Sequence, residues 1–209
     1  MSEPKSLIIK SLIINSAFKF MVSPLRPALI VVDMVHEFVK GRLKSPQAES
    51  IVPTIKRLID KARECSAPVI HVVDRHLPFD HELKLWGPHA MANSPESNIV
   101  EELKPVEGEY VFPKRFYSGF RDTGLDTALR DMGVDTLVVT GIHTHICVLH
   151  TVADAFYYGY KVYVVKDAVA AFSQRDHEYA LDYMRSVYGA EIVDSSRAVD
   201  VICSGRRGS

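Results

Sequence analysis

Apolar residues along this chain fall into short dense runs, not long helical stripes. Pro27-Ala28-Leu29-Ile30-Val31-Val32-Asp33 is one run and Pro68-Val69-Ile70-His71-Val72-Val73-Asp74 is a second, and each ends in an acid. Runs of this length, apolar at nearly every position, predict central strands of a parallel sheet, buried on both faces. Glu109-Tyr110-Val111-Phe112 predicts a short third strand running to Lys114. Asp135 to Thr140, Lys161 to Val165 and Ala190 to Val193 predict three more. Between them the period changes to that of helices: Pro46 to Cys65, Leu125 to Met132, a helix opening near Cys147 and running to Tyr158, and Asp176 to Val187. Pro53 predicts that the first of these is kinked or starts later. Arg75 to Pro105 keeps no period and is broken by Pro78, Gly87, Pro88, Pro95 and Pro105, which predicts a long functional loop with a short helix near Glu96 to Leu103.

Strands alternating with helices imply right-handed crossovers. The expected fold is α/β, a three-layer α/β/α domain with a six-stranded, mostly parallel sheet over residues 25–204. An extension, residues 1–24, precedes it and a tail, residues 205–209, follows. The extension holds Leu7-Ile8-Ile9-Lys10-Ser11-Leu12-Ile13-Ile14, an apolar run broken by a lysine and too short to span a membrane. It has no strong basic start and no clear small-residue cleavage site, which disfavours a signal peptide without removing it. The other readings are a natural product starting at Met21, or an extra strand or helix that docks on a partner.

Composition narrows the function classes. The chain has 209 residues, 47% hydrophobic and 24% charged, with a formal net charge of −1. That balance gives no electrostatic case for nucleic acid or an anionic membrane, and neither is expected as a partner. Three cysteines, Cys65, Cys147 and Cys203, are few and unpatterned. They suggest no disulfide framework and fit a reducing, cytoplasmic compartment. No CxxC, P-loop or GxGxxG motif follows a predicted strand.

The chemistry gathers at strand ends. In an open parallel sheet the carboxyl ends of the strands share one edge, and ligands bind there. Asp33, Asp74 and Lys114 lie at or just beyond such ends, and Cys147 follows the fourth strand at a predicted helix start. Free N–H groups and the helix dipole there favour a thiolate and lower its pKa. A lysine beside the sulfur acts in the same direction. An aspartate can take the thiol proton and return it to a leaving amine. Asp74-Arg75-His76 with His89 in the loop beyond supplies one carboxylate and two imidazoles, a set that suits Zn²⁺ or another divalent ion. With nine histidines in the chain, chance clusters are easy.

From Pro27 to Ser195 the chain resembles the isochorismatase-like cysteine hydrolases, and within them the nicotinamidase and N-carbamoylsarcosine amidase branch. The resemblance rests on three stretches: Ala28 to Asp33 with Phe38; Lys114 with Tyr117-Ser118-Gly119-Phe120; and Gly141 to Cys147 followed by His150-Thr151-Val152-Ala153-Asp154-Ala155. It implies a catalytic triad of Asp33, Lys114 and Cys147. It also implies a cis peptide at Ile142–His143 and an oxyanion hole from the N–H groups of His143 and Cys147. It implies a metal on Asp74, His76 and His89 that holds a pyridine nitrogen, and substrate contacts from Phe38 and Trp86. Trp86-Gly87-Pro88-His89-Ala90 departs from the familiar pattern, which often has cysteine where Ala90 stands. Asp33-Met34-Val35-His36-Glu37-Phe38 replaces the usual Asp-x-Gln-Asn-Asp-Phe.

The resulting expectation is a cytoplasmic, homo-oligomeric, metal-containing amidohydrolase that cuts a small amide through a thioester, nicotinamide first. An N-carbamoylsarcosine amidase-like or other small-amide hydrolase is the alternative. A non-catalytic metal-binding interaction protein on the same fold is the competitor from another class.

Overall fold

In the computed structural model, residues 25–205 are described. The expected extension, residues 1–24, and all of the expected tail but Gly205 lie outside them. Six strands form one parallel sheet: β1 Pro27–Val32, β2 Val69–Asp74, β3 Tyr110–Lys114, β4 Thr136–Ile142, β5 Lys161–Ala170 and β6 Glu191–Val193, in the order β3-β2-β1-β4-β5-β6. Seven α-helices accompany the sheet among the described residues: α1 His36–Val39, α2 Ala48–Glu64, α3 Leu83–Trp86, α4 Leu125–Asp131, α5 Leu149–Tyr157, α6 Gln174–Tyr188 and α7 Ser195–Cys203.

Alternation along β1 explains the layers. Leu29 and Val31 face one side, where they join Ile55, Leu58 and Ile59 of α2 and Ala198, Val201 and Ile202 of α7. Ala28, Ile30 and Val32 face the other, against Leu125 and Leu129 of α4, Val152 and Ala155 of α5, and Ala180 and Met184 of α6. A central strand therefore reads as a continuous apolar run because both of its faces are covered. All six residues of β1 are buried.

Three expectations change in detail. Helix α2 begins at Ala48 and keeps Pro53 inside it, on the exposed side. Glu96 to Leu103 holds two short 3₁₀ turns, Pro95–Ser97 and Glu101–Leu103, in place of one helix. Strand β5 runs five residues beyond Val165, through exposed Lys166 and Asp167, to a buried Ala168–Ala170 end. Asp167 then accepts the N–H and hydroxyl of Ser195. This starts α7, which the strand-and-helix reading left out; its signals are the cap Asp194, which accepts Arg197 N–H, and the apolar Ala198, Val201 and Ile202 at helical spacing.

The cysteine expectation is overturned. Cys65 at the end of α2 and Cys203 at the end of α7 form a disulfide, with Cα atoms 5.2 Å apart and 138 residues between them in sequence. The pairing joins two helices of one layer, and no motif or spacing announces it. No helix among the described residues is long and apolar enough to cross a membrane.

Candidate active site

The sheet order puts the ends of β3, β2, β1 and β4 side by side, and four buried polar side chains rise from them. Lys114 pairs in register with Asp74, so the edge strand carries its ammonium over β2 toward β1 and β4. Lys114 Nζ lies 2.8 Å from Asp33 Oδ2 and donates to Asp74 Oδ1 and, at 3.5 Å, to Cys147 Sγ. Asp33 Oδ1 accepts the Asp74 N–H at 2.8 Å. Asp33 has a positive φ of 52°, a region aspartate tolerates better than most residues. Ligand atoms of Asp33, Asp74 and Cys147 lie within 4.8 Å of one another.

Beyond β4 the chain turns sharply. Gly141 has φ 105°, and a Cβ there would sit 2.0 Å from the Val32 carbonyl oxygen, so β1 and β4 approach this closely only with glycine. The peptide Ile142–His143 is cis. A single π-helical turn, Thr144–Val148, follows, with Val148 N–H donating to the His143 carbonyl at 3.2 Å. Helix α5 begins only at Leu149. Cys147 therefore sits inside the π turn, not at the mouth of an α-helix, and is 5% exposed.

Burial sets the electrostatics. It pushes Asp33 up to about 6, helped by the Asp74 carboxylate and opposed by Lys114. Burial would raise Asp74 as well, but Lys114 and His76 hold it at about 2. Burial works against the charge on Lys114, yet Asp33 and Asp74 keep it well above its ordinary value. Burial pushes the Cys147 thiol well up; Lys114 opposes this and the two aspartates reinforce it. This corrects the expectation of a lowered thiol pKa. Desolvation and two carboxylates outweigh one lysine, so the thiol keeps its proton until a base takes it.

The imidazole side adjoins this cluster through Asp74. Asp74, His76 and His89 are all buried, with ligand atoms within 4.8 Å of one another. His76 Nε2 is 3.6 Å from Asp74 Oδ2, is buried, and has no hydrogen-bond partner. His76 Nδ1 is 3.1 Å from Asp80 Oδ2, and His89 Nδ1 is 2.8 Å from the Gly87 carbonyl. With both Nδ1 atoms engaged, each ring keeps Nε2 for a ligand. Two imidazole nitrogens and a carboxylate oxygen, all buried and this close together, fit a divalent cation. Burial works against a proton on His76, but Asp74 and Asp80 raise its pKa; proton and cation thus compete for one site.

A pocket opens over the sulfur, Asp74 and His89. Phe38, Trp86, His143 and Phe172 form its aromatic lining, with Glu82, Tyr117 and Ile146 beside them. Trp86 Nε1–H donates to the Tyr117 hydroxyl at 3.0 Å. His143 lies against Phe172, ring centres 4.1 Å apart, and its Nε2 is 3.0 Å from the Leu43 carbonyl. Burial pushes His143 down to about 4, leaving the ring neutral. Burial, with Asp74, raises Glu82 to about 7.

The Isochorismatase domain family matches residues 27–197. The chain belongs to this family. It is similar to the N-carbamoylsarcosine amidase from Thermoplasma acidophilum, with 44% identity, TM-score 0.78, and 82% of this chain and 97% of that one covered. It is also similar to the nicotinamidase PncA from Bacillus subtilis, with 30% identity, TM-score 0.76 and coverages of 81% and 100%. The pyrazinamidase of Pyrococcus horikoshii, solved in complex with zinc, shares 34% identity at TM-score 0.74, with coverages of 81% and 99%. A hydrolase of the isochorismatase family with amidases among its structural neighbours is therefore the coarse identity of this chain.

Within that family, the residues singled out from sequence come together: Asp33, Lys114 and Cys147 in one cluster, Asp74, His76 and His89 in the next, and Phe38, Trp86 and His143 on the pocket wall. His145 is half-buried at the pocket's edge, its ring 5.4 Å from Phe172, and His81 is exposed. Sequence reasoning missed Glu82, Phe172 and Asp80. Glu82 and Asp80 stand in the aperiodic loop, where only their spacing from His76 marks them. Phe172 follows β5, whose end was placed too early.

Proposed function

We propose that this chain is a cysteine amidohydrolase acting on a small, uncharged, flat amide, with nicotinamide as the first substrate and nicotinate plus ammonia as products. The observation that carries the reading is the position of Lys114, whose ammonium touches both the Asp33 carboxylate and the Cys147 sulfur beneath an aromatic pocket. Asp33 is the base: at about 6 its carboxylate is ionised near neutral pH yet can hold a proton. As it takes the thiol proton, the sulfur attacks the amide carbon, and Lys114 offsets the negative charge passing between them. The N–H groups of His143 and Cys147 are assigned to the oxyanion, where each donor is worth about 3–4 kcal/mol in comparable sites. Asp33 then gives its proton to the departing nitrogen, and ammonia leaves. Water loses a proton to Asp33 and attacks the thioester, releasing the acid and restoring the thiol.

Asp74, His76 and His89 would hold a divalent cation, Zn²⁺ in the first instance, which supplies a Lewis-acidic point for the ring nitrogen of the substrate. Phe38 and Trp86 face the plane of the ring. Homo-oligomeric assembly belongs to the same reading, and light scattering on the purified protein measures it; the Cys65–Cys203 disulfide removes the cysteine argument for a cytoplasmic location.

The similarity to an N-carbamoylsarcosine amidase favours a second reading within the class, a carbamoyl amine as substrate. Ammonia release across nicotinamide, benzamide and carbamoyl amines, with metal loaded and stripped, decides between them. Preference for nicotinamide over benzamide in the loaded protein supports the first reading. Ammonia from no amide at all would leave the non-catalytic metal-binding protein.

A further inference from the structure

The loop after β2 contains a buried carboxylate that neither the triad nor the metal ligands use. Asp80 Oδ2 faces His76 Nδ1 at 3.1 Å and also accepts the Leu77 N–H at 2.8 Å. Its other oxygen, Oδ1, faces Arg115, whose Nε is 2.9 Å away and whose Nη2 donates to it too. The Asp80 side chain is 2% exposed and that of Arg115 is 41% exposed, so a surface guanidinium is coupled through one carboxylate to a buried imidazole. The His76 backbone is fixed independently: its N–H donates to the Ala90 carbonyl and its own carbonyl accepts from Ala92. What Asp80 adds is the rotation and tautomer of the ring. A carboxylate accepts only, and among the described residues Asp80 alone is within hydrogen-bond reach of the ring. Asp74 Oδ2 at 3.6 Å and Glu82 Oε2 at 3.9 Å are too far from Nε2 to bond it, so the neutral ring keeps its proton on Nδ1 and Nε2 keeps its lone pair. His89 has a weaker arrangement, with only the Gly87 carbonyl on its Nδ1.

We propose that Asp80, held by Arg115, is a positioning residue that fixes the ring of His76 so that Nε2 is the ligand it offers a divalent cation. This rests on the metal reading above. Carboxylate partners of this kind are typically worth 10- to 100-fold in metal affinity. The spacing His76-x-x-x-Asp80 places the partner four residues after the ligand, so ligand and partner travel on one segment.

The test is metal affinity, read without substrate. Zn²⁺ binding is measured by competition with a chromophoric chelator, and Co²⁺ binding by its visible spectrum, for the whole chain and for Asp80→Ala, Asp80→Asn and Arg115→Met. Asp80→Asn keeps an acceptor for Leu77 N–H and guards against a variant that merely misfolds. The proposal expects about 10- to 100-fold weaker Zn²⁺ binding in Asp80→Ala, a smaller loss in Asp80→Asn, the smallest in Arg115→Met, and an altered Co²⁺ spectrum in the first two. Nitrogen-15 NMR of the metal-free protein, taken at alkaline pH where the ring is neutral, should show His76 carrying its proton on Nδ1, and that preference should be lost in Asp80→Ala. Unchanged affinity, spectrum and tautomer in folded Asp80→Ala would overturn the positioning role while leaving the metal site standing. Failure of the unaltered protein to bind either ion would overturn the metal reading itself, and the positioning role with it.

Discussion

The sulfur side and the imidazole side of the site meet at Asp74, yet they satisfy their polar atoms in different ways. On the sulfur side every charge is answered within the protein: one ammonium stands among two carboxylates and a thiol, all from strand ends or the turn after β4. On the imidazole side the ring nitrogens nearest the backbone are engaged, and the buried His76 Nε2 has no hydrogen-bond partner. The first arrangement is closed by ion pairs, since even Asp33 Oδ2, which makes no hydrogen bond, lies 2.8 Å from the Lys114 ammonium, and it can move a proton among its own members. The second is complete only when something outside the chain fills it. His71 sharpens the contrast. It is also buried with both nitrogens unpartnered, but it lies in mid-strand on the α2 side and belongs to neither group of clustered ligand atoms. An orphaned imidazole points to a cation only where other ligands converge on it.

Replacing the sulfur should have the largest effect. Cys147→Ala is expected to lower amide hydrolysis on the order of 10⁴-fold or more, with circular dichroism and thermal unfolding close to the unaltered protein's. Residual activity within tenfold would mean that the sulfur is not the nucleophile. Iodoacetamide should label Cys147 alone in the folded, unreduced protein, since Cys65 and Cys203 are paired.

Lys114→Met should come next, at roughly 10²- to 10³-fold in kcat/KM, the range in which loss of a single charge-stabilising group falls. Without the cation, the pH at which Cys147 becomes alkylatable should rise further. A labelling profile that does not move would reduce Lys114 to a structural ion-pair partner.

Loss of His89 tests the other side. His89→Ala should lower metal occupancy, read by elemental analysis, and raise KM for nicotinamide more than it lowers kcat, because the ion is assigned to binding the ring and not to cutting the amide. Equal losses in kcat and kcat/KM would place the ion in the bond-breaking step.

His71→Leu should leave turnover unchanged and alter stability only. Burial holds the folded pKa of His71 down at about 4, against 6.5 in the ordinary state. The folded chain therefore binds fewer protons than the unfolded one between those values, and stability falls as pH drops from about 6.5 to 4. The full cost is about 3 kcal/mol, from roughly 1.4 kcal/mol per pH unit. The leucine variant should lose that part of the acid slope in urea titrations; an unchanged slope would mean that water or local opening solvates the ring.

Much of this was legible from residue order. Central strands show as unbroken apolar runs, and the parallel sheet follows from them, so Asp33, Asp74 and Lys114 fall on one edge by residue order alone. What escaped depends on through-space neighbours. Asp80 and Glu82 gain meaning only from a loop that folds back on His76. The Cys65–Cys203 disulfide needs α7, a helix whose start is set by Asp167 from a strand that runs longer than its apolar core suggests. The thiol environment was misjudged because a π turn replaced the expected helix start, and because desolvation is a property of the packed site and not of the motif. Residues 1–24 lie outside the described structure, so their apolar run keeps the readings it had from sequence.

The central claim is that Cys147 carries the acyl group while Asp33 carries the proton. The direct measurement is acid-quenched mass spectrometry of metal-loaded protein mixed with nicotinamide, with ammonia assayed in parallel. The account predicts ammonia release and a nicotinoyl group on the peptide that contains Cys147, absent from Cys147→Ala and strongly diminished in Asp33→Asn, which lacks the base that takes the thiol proton before the sulfur attacks. Ammonia release with equal turnover in Cys147→Ala, or no ammonia from folded, metal-loaded protein, would contradict it.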